Sequence, residues 1–300
     1  MTEHPQRGGR RRPALADERA PRREDSRSRM PGVVAGLTAL GLLAGAGWWA
    51  RDKVLTPWSE TCRATASGET VSFDPEQMHN AALIVQLAER RGLAARAGSI
   101  AVATAIQESK LRNITYGDRD SVGLFQQRPS QGWGTEEQIL DPHYSTDAFY
   151  DALVKVDGWQ DMRITEIAQE VQRSAYPEAY DDHQGEGRTI ASVVSGHSPA
   201  GMACSLDRPE QAGDPEAVVA AVAQDTGHQA SAQGQTVTVS AGDRRRAWGT
   251  GAWAVAQAKA HGITSVTVDD RIWRRDDNPK EWQAADTTAP EGQVVITLAE

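Results

Sequence analysis

The chain has 300 residues, enough for one large or two small domains, with 39% hydrophobic and 24% charged residues. Its net charge of −9 is unevenly spread: residues 1–30 hold nine Arg against five acids, residues 31–50 hold no charge, and the rest is acidic. An acidic body excludes nucleic acid as a partner, because phosphate binding needs a basic footprint. The two Cys and the scattered His (4, 79, 143, 183, 197, 228, 261) form no metal-ligand spacing, so no metal is expected. No phosphate-binding glycine motif occurs, so no cofactor is expected either.

Residues 1–30 read as a disordered, Arg-rich cytoplasmic tail. Residues 31–50 read as a transmembrane helix. The apolar run 33–50 would rise about 27 Å as a helix, close to the thickness of a hydrocarbon core. Arginines crowd its N-terminal side, whereas only Arg51 and Lys53 follow closely. The positive-inside rule then places the N-terminus in the cytoplasm and the body outside the cell membrane. Trp48 and Trp49 suit the outer aromatic belt. The alternative is a cleaved signal peptide, with Ala44 to Ala46 as the cut; both readings export the body. In an oxidising space Cys62 and Cys204 would pair, pinning the two ends of the intervening segment.

Residues 51–72 read as a polar juxtamembrane linker. Asp74-Pro75-Glu76-Gln77 then opens a helix, with Asp as cap, Pro at the first position and Gln completing a capping box. A second, largely apolar helix spans 94–108. A loop rich in Gly, Asp, Asn and Pro covers 112–134. Thr135-x-x-Gln138 caps a short helix, and further helices are predicted over 141–156, 164–174 and 188–195. Residues 73–206 thus form a mainly α-helical domain. After a linker at 207–213, residues 214–300 change pattern. A short helix (216–224) precedes strands at 235–241, 264–273 and 293–299, with a helix over 244–261. This is a small α+β domain, making the whole chain α+β. Its Asp269-Asp270 and Arg274 to Asp277 runs read as solvated charge.

Glu108-Ser109 closes the apolar second helix. A carboxyl group at the end of a buried helix is partly desolvated, which favours the protonated form that a general acid needs. Periodicity alone favours a surface glutamate at a helix end. After fourteen intervening residues comes Gly123-Leu124-Phe125-Gln126, preceded by Gly117-Asp118-Arg119. Glu-Ser followed at this distance by Gly-Leu-x-Gln resembles the lytic transglycosylase and goose-type lysozyme superfamily. The resemblance covers about residues 73–200, and its specific part 106–130; Phe125 stands where Met is usual.

The resemblance implies that Glu108 protonates the glycosidic oxygen between MurNAc and GlcNAc in peptidoglycan. Ser109 would cap the helix end or orient Glu108, and Gly123, Leu124 and Gln126 would wall the sugar groove, Gln126 by hydrogen bonding. Where the family has an Ala-Tyr-Asn stretch, this chain has Gln172, Ser174 and Tyr176, which would line the same groove. Tyr116 and Trp133 are candidate stacking platforms for sugar rings. A transglycosylase needs one carboxylate, whereas an inverting hydrolase needs a second; Asp118 and Asp120 are the candidates. The alternative function is a module that binds wall glycan or an envelope protein without cutting it. The C-terminal domain is a candidate docking site for such an envelope partner.

Overall fold

The computed structural model describes residues 60–172, 182–276 and 281–300. The N-terminal tail and the expected span at 31–50 lie outside them. Among the described residues no helix is long and apolar enough to cross a membrane.

The region expected to be a linker contains two strands, β1 (Thr61–Ala66) and β2 (Glu69–Phe73). Cys62, Ala64 and Ala66 turn inward while Arg63 and Thr65 face out. The two-residue period is present, but alanines fill it where Val or Ile would announce a strand. With β3 (Met202–Ser205) they form a three-stranded antiparallel sheet in the order β2-β1-β3. Cys62 and Cys204 are register partners on β1 and β3 and form a disulfide across 142 positions of sequence.

The helices follow as the caps dictate. In α1 (Pro75–Arg90) Asp74 and Gln77 form the reciprocal capping box. The second helix, α2 (Ala95–Ser109), has no side-chain cap, and Ala97 to Ile106 are all buried. A helix that is apolar all round must be enclosed. Helix α1 packs on one side of it and α6 (Gln184–Val194) on another. Gly187 permits the α6 crossing: a Cβ there would stand 2.5 Å from the Ser99 carbonyl oxygen. Between them lie α3 (Glu136–Ile139), capped by Thr135 and Gln138, then α4 (Pro142–Leu153) and α5 (Ile164–Gln172).

The C-terminal part has α7 (Pro215–Thr226), the hairpin β4 (Gln229–Gln233) and β5 (Thr236–Ser240), and α8 (Arg244–Ala256). A short α9 (Ala258–His261) leads to β6 (Ile263–Val268), β7 (Arg271–Arg274), β8 (Gln283–Ala284) and β9 (Gln293–Leu298). These strands form one antiparallel sheet, β4-β5-β9-β6-β7-β8. The strand expected over 264–273 is two strands. Asp269 takes φ 50° and, with Asp270, turns the chain into a hairpin. Nor are these charges merely solvated. Asp269 accepts from Trp248 Nε1 (2.9 Å) and Arg244 Nε (2.7 Å). Arg275 is buried and donates to the Ala258 carbonyl (3.0 Å) and to that of Asp207.

The segment 207–213 is accordingly fastened at both ends rather than strung free. Asp207 is held by Arg275 and by Glu60, and the Gly213 N–H donates to Ala299 O (3.0 Å). The described residues from 60 onward belong to one compact unit. Helix α8, buried from Ala247 to Ala256, is shared: the sheet packs on it through β6 and β9, and α1, α6 and β3 cover it from the helical half.

Replacing both Cys62 and Cys204 by Ser should cost about 2–5 kcal/mol, the scale for a disulfide closing so long a loop. Urea unfolding of the two proteins, read by midpoint, measures it.

Candidate functional site

Glu108 lies in the last turn of α2, partly buried, where the enclosed helix meets the long loop. The backbone just beyond it is unusual. Lys110 and Leu111 both take left-handed conformations, φ 55° and 59°. Non-glycine residues pay roughly 1–2 kcal/mol each for that. The surroundings hold them there. Their N–H groups donate to Ile106 O (2.9 Å) and Ala105 O (3.0 Å), closing the helix end. From α1, Gln77 Nε2 donates to Lys110 O (2.8 Å) and Asn80 Nδ2 to Leu111 O (2.7 Å). Leu111 is fully buried. Strain over-determined by its surroundings, two and three residues past a carboxylate, is the kind found at functional sites.

Ser109 is buried, and its hydroxyl reaches both Ala105 O (3.1 Å) and Leu124 O (2.7 Å). Its single proton is thereby committed to backbone. Ser109 is a tether between the helix end and the turn. The turn itself is a tight hairpin. Val122 and Gln127 bridge across it, with Val122 N–H to Gln127 O at 3.0 Å. Gly123 takes φ 80°, and a Cβ there would meet Ile139 O at 2.8 Å, so only glycine fits. Its N–H donates to Ile114 O (2.7 Å). Leu124 and Phe125 point into the core, where Phe125 stacks on Phe149 with ring centroids 4.7 Å apart.

Gln126 was expected to hydrogen-bond sugar. Instead its Nε2 donates to Tyr116 O and Gly123 O, both at 3.3 Å, and its Oε1 lies over Gly117. The amide straps residues 116–117 to the turn. Tyr116 is 72% exposed, whereas Trp133 is partly buried against the core.

The two loop carboxylates differ. Asp120 accepts from Arg128 Nε (2.8 Å), Ser130 N–H (2.8 Å) and Ser130 Oγ (3.0 Å). The Arg128 guanidinium, then the two Ser130 donors, hold its carboxyl well below the usual range. A carboxylate so stabilised is a weak base and staples the loop to the turn at Pro129–Gln131. Asp118 is 88% exposed and 3.9 Å from Arg119 Nε. The backbone of α5 ends at Gln172, and Ser174 and Tyr176 lie outside the described residues.

Three cavities lie away from Glu108 and are lined by none of its loop. One of about 240 Å³ lies where α1, α6 and α8 meet, around Gln86, Glu89 and Arg245. Another, about 520 Å³, is lined by Glu60, His79 and Lys259. A third, about 570 Å³, adjoins Arg275 and the segment 207–214. Among the described residues no group of three His, Cys, Asp or Glu could hold a metal ion. Sequence reasoning missed His143, at the start of α4. Its Nε2 lies 2.8 Å from Asp225 Oδ1, and Asp225 Oδ2 accepts from Trp253 Nε1 at 2.8 Å. No local pattern announces a pair 82 residues apart.

Asn80→Ala should cost about 1–3 kcal/mol in chemical denaturation, because it strands the buried Leu111 carbonyl. Asp120 gives a second test. Its folded pKa is depressed, so its stabilisation is present above the ordinary Asp range and lost on acidification below about pH 4. Acid-unfolding curves of Asp120→Asn should be shallower there than those of the wild type. Compared with known families and curated proteins, the chain matches no family model and no curated sequence.

Proposed function

We propose that the helical half cleaves the MurNAc–GlcNAc bond of peptidoglycan as a lytic transglycosylase, with Glu108 as its acid and base. One observation carries the reading: the Ser109 hydroxyl joins the end of the Glu108 helix to the Gly-Leu-Phe-Gln turn at 2.7 Å. Both halves of the motif that resembles the lytic transglycosylases therefore meet in space. Glu108 would give its proton to the O4 of the departing GlcNAc as the C1–O4 bond breaks. The resulting carboxylate would take the proton of the MurNAc 6-hydroxyl as O6 closes on C1. The products are a 1,6-anhydro-MurNAc end and a free GlcNAc 4-hydroxyl, and Glu108 is protonated again. One group with both roles suffices. The engagement of Asp120 by Arg128 and Ser130 supports this route over an inverting hydrolase. Such a hydrolase would depend on Asp118. Tyr116 is the exposed aromatic that a sugar ring could stack on.

The disulfide suits an oxidising compartment. The reading includes a body outside the cell membrane, held by residues 31–50. A second reading, glycan binding without cleavage, draws on Gln126, whose amide is occupied within its own loop.

The test is digestion of purified peptidoglycan by the intact chain and by Glu108→Gln, with products identified by mass spectrometry. Anhydro-muropeptides from the wild type, reduced at least 100-fold in the variant, are expected. Reducing-end products would transfer attention to Asp118. Glycan retention without cleavage would establish the binding module.

A further inference from the structure

The hairpin beside Glu108 is connected to the C-terminal part by a short run of polar contacts, buried at its two ends and exposed at Asp141. Gln127 closes the hairpin with its backbone and is 1% exposed. Its Nε2 donates to Ser145 O in α4 at 3.0 Å. Ser145 is fully buried, and its hydroxyl donates back to Asp141 O at 3.0 Å. Asp141 caps α4 by accepting the His143 N–H at 2.9 Å. The His143 ring then crosses to Asp225 near the end of α7 (2.8 Å), and Asp225 takes the indole N–H of Trp253 in α8. Asp225 is 5% exposed and Trp253 is fully buried.

We infer that His143 is a positioning residue: through its contact with Asp225 it lets the C-terminal part set the placement of the 122–127 hairpin. This rests on the proposed reading of that hairpin as the wall of a glycan groove. It gives the C-terminal part a role that needs no ligand of its own. Helix α4 cannot shift its first turn without stretching the Gln127–Ser145 bond. That turn is fixed to α7 and α8 by an imidazole bonded to a buried carboxylate.

The link is sensitive to protonation. Asp225, and after it Asp141 with its Oδ1 3.5 Å from the ring Nδ1, favour the charged imidazole, while burial and Arg90 of α1 oppose it. The balance raises the His143 pKa above the ordinary value. Two further histidines face the same region, His79 from α1 and His261 from α9. Burial lowers the pKa of both, against the attraction of Asp225 and, for His261, also of Asp214. The signs are therefore opposite. The His143 contribution is complete below the ordinary histidine pKa and is lost as pH rises through its raised value. Charging of His79 and His261 lags behind the unfolded chain as pH falls. Only the first predicts a hairpin that loosens towards alkaline pH.

Hydrogen exchange of the intact chain tests the link without any substrate. The probes are the Val122, Gly123 and Gln126 amides, reported as protection factors between about pH 5.5 and 8.5, a window spanning the histidine range. Wild-type protection should fall as His143 loses its charge. His143→Gln keeps a donor but cannot titrate, and should make protection independent of pH. Asp225→Asn keeps the shape and removes the charge, and should lower protection about three- to tenfold at the acidic end. Amides in β9, outside the link, serve as the control for general loosening. A hairpin that behaves identically in all three proteins overturns the inference, as does a change that β9 shares equally. Peptidoglycan digestion separates the two ideas. A wild type that cuts no glycan but shows the hairpin response keeps the link and removes the groove reading.

Discussion

Two helices with no polar face dictate the arrangement of everything else. Helices α2 and α8 are buried along most of their length, so each has to be surrounded before the chain can fold. Helix α2 is enclosed by its helical neighbours. For α8 the sheet closes one side and the helical half the other. The C-terminal strands are thus a necessary wall for a helix that the N-terminal half also needs. This joint burial explains why the segment 207–213, polar and loop-like in sequence, is fastened at both ends.

Enclosure also explains the geometry at the end of α2. A helix that has to stay inside can expose a carboxylate only at its terminus, where the chain turns outward. The turn is abrupt, through two left-handed residues that α1 holds by Gln77 and Asn80. Ser109 then fixes the following loop to the same spot. The placement of Glu108 relative to the hairpin follows from side chains that bond the backbone on both sides, Gln77 and Asn80 before the loop and Ser109 towards the turn. Such a scaffold suits a site that has to meet a stiff substrate without rearranging.

Much of this was legible in the sequence wherever one residue's chemistry announces one geometry. Asp74-Pro75 with Gln77, and Thr135 with Gln138, signalled helix starts that the structure contains. The cysteine pair and the alternating Val and Thr of β5 were equally plain. The misses have physical causes. Strand β1 fills its inward positions with Cys62, Ala64 and Ala66, and β4 is built of Gln, Ala and Ser, so neither carries the bulk that marks a strand. Asp269 breaks a promising ten-residue strand because aspartate tolerates a left-handed turn. Gln126 was readable as a groove residue, but the missing side chain of Gly117 leaves room for its amide to reach Tyr116 O and Gly123 O within its own loop. Arg275 looked like surface charge until three carbonyl-bearing segments converged on it. For Arg275 the deciding neighbours, Asp207 above all, are remote in sequence.

The cross-link between β1 and β3 has a mechanical corollary. Cys62 sits two residues after the first described position, and Cys204 stands 142 residues later. A pull applied along the chain at the N-terminal side enters β1 and passes through the sulfur bridge directly into β3. The intervening residues, which include Glu108 and the hairpin, carry no load in series. At about 3.5 Å per residue, roughly 500 Å of potential extension is locked away. Tension could unravel the strands and helices after residue 204 while leaving the topology of the helical half closed. Under such a load the C-terminal sheet would yield before the disulfide-closed half could be drawn out.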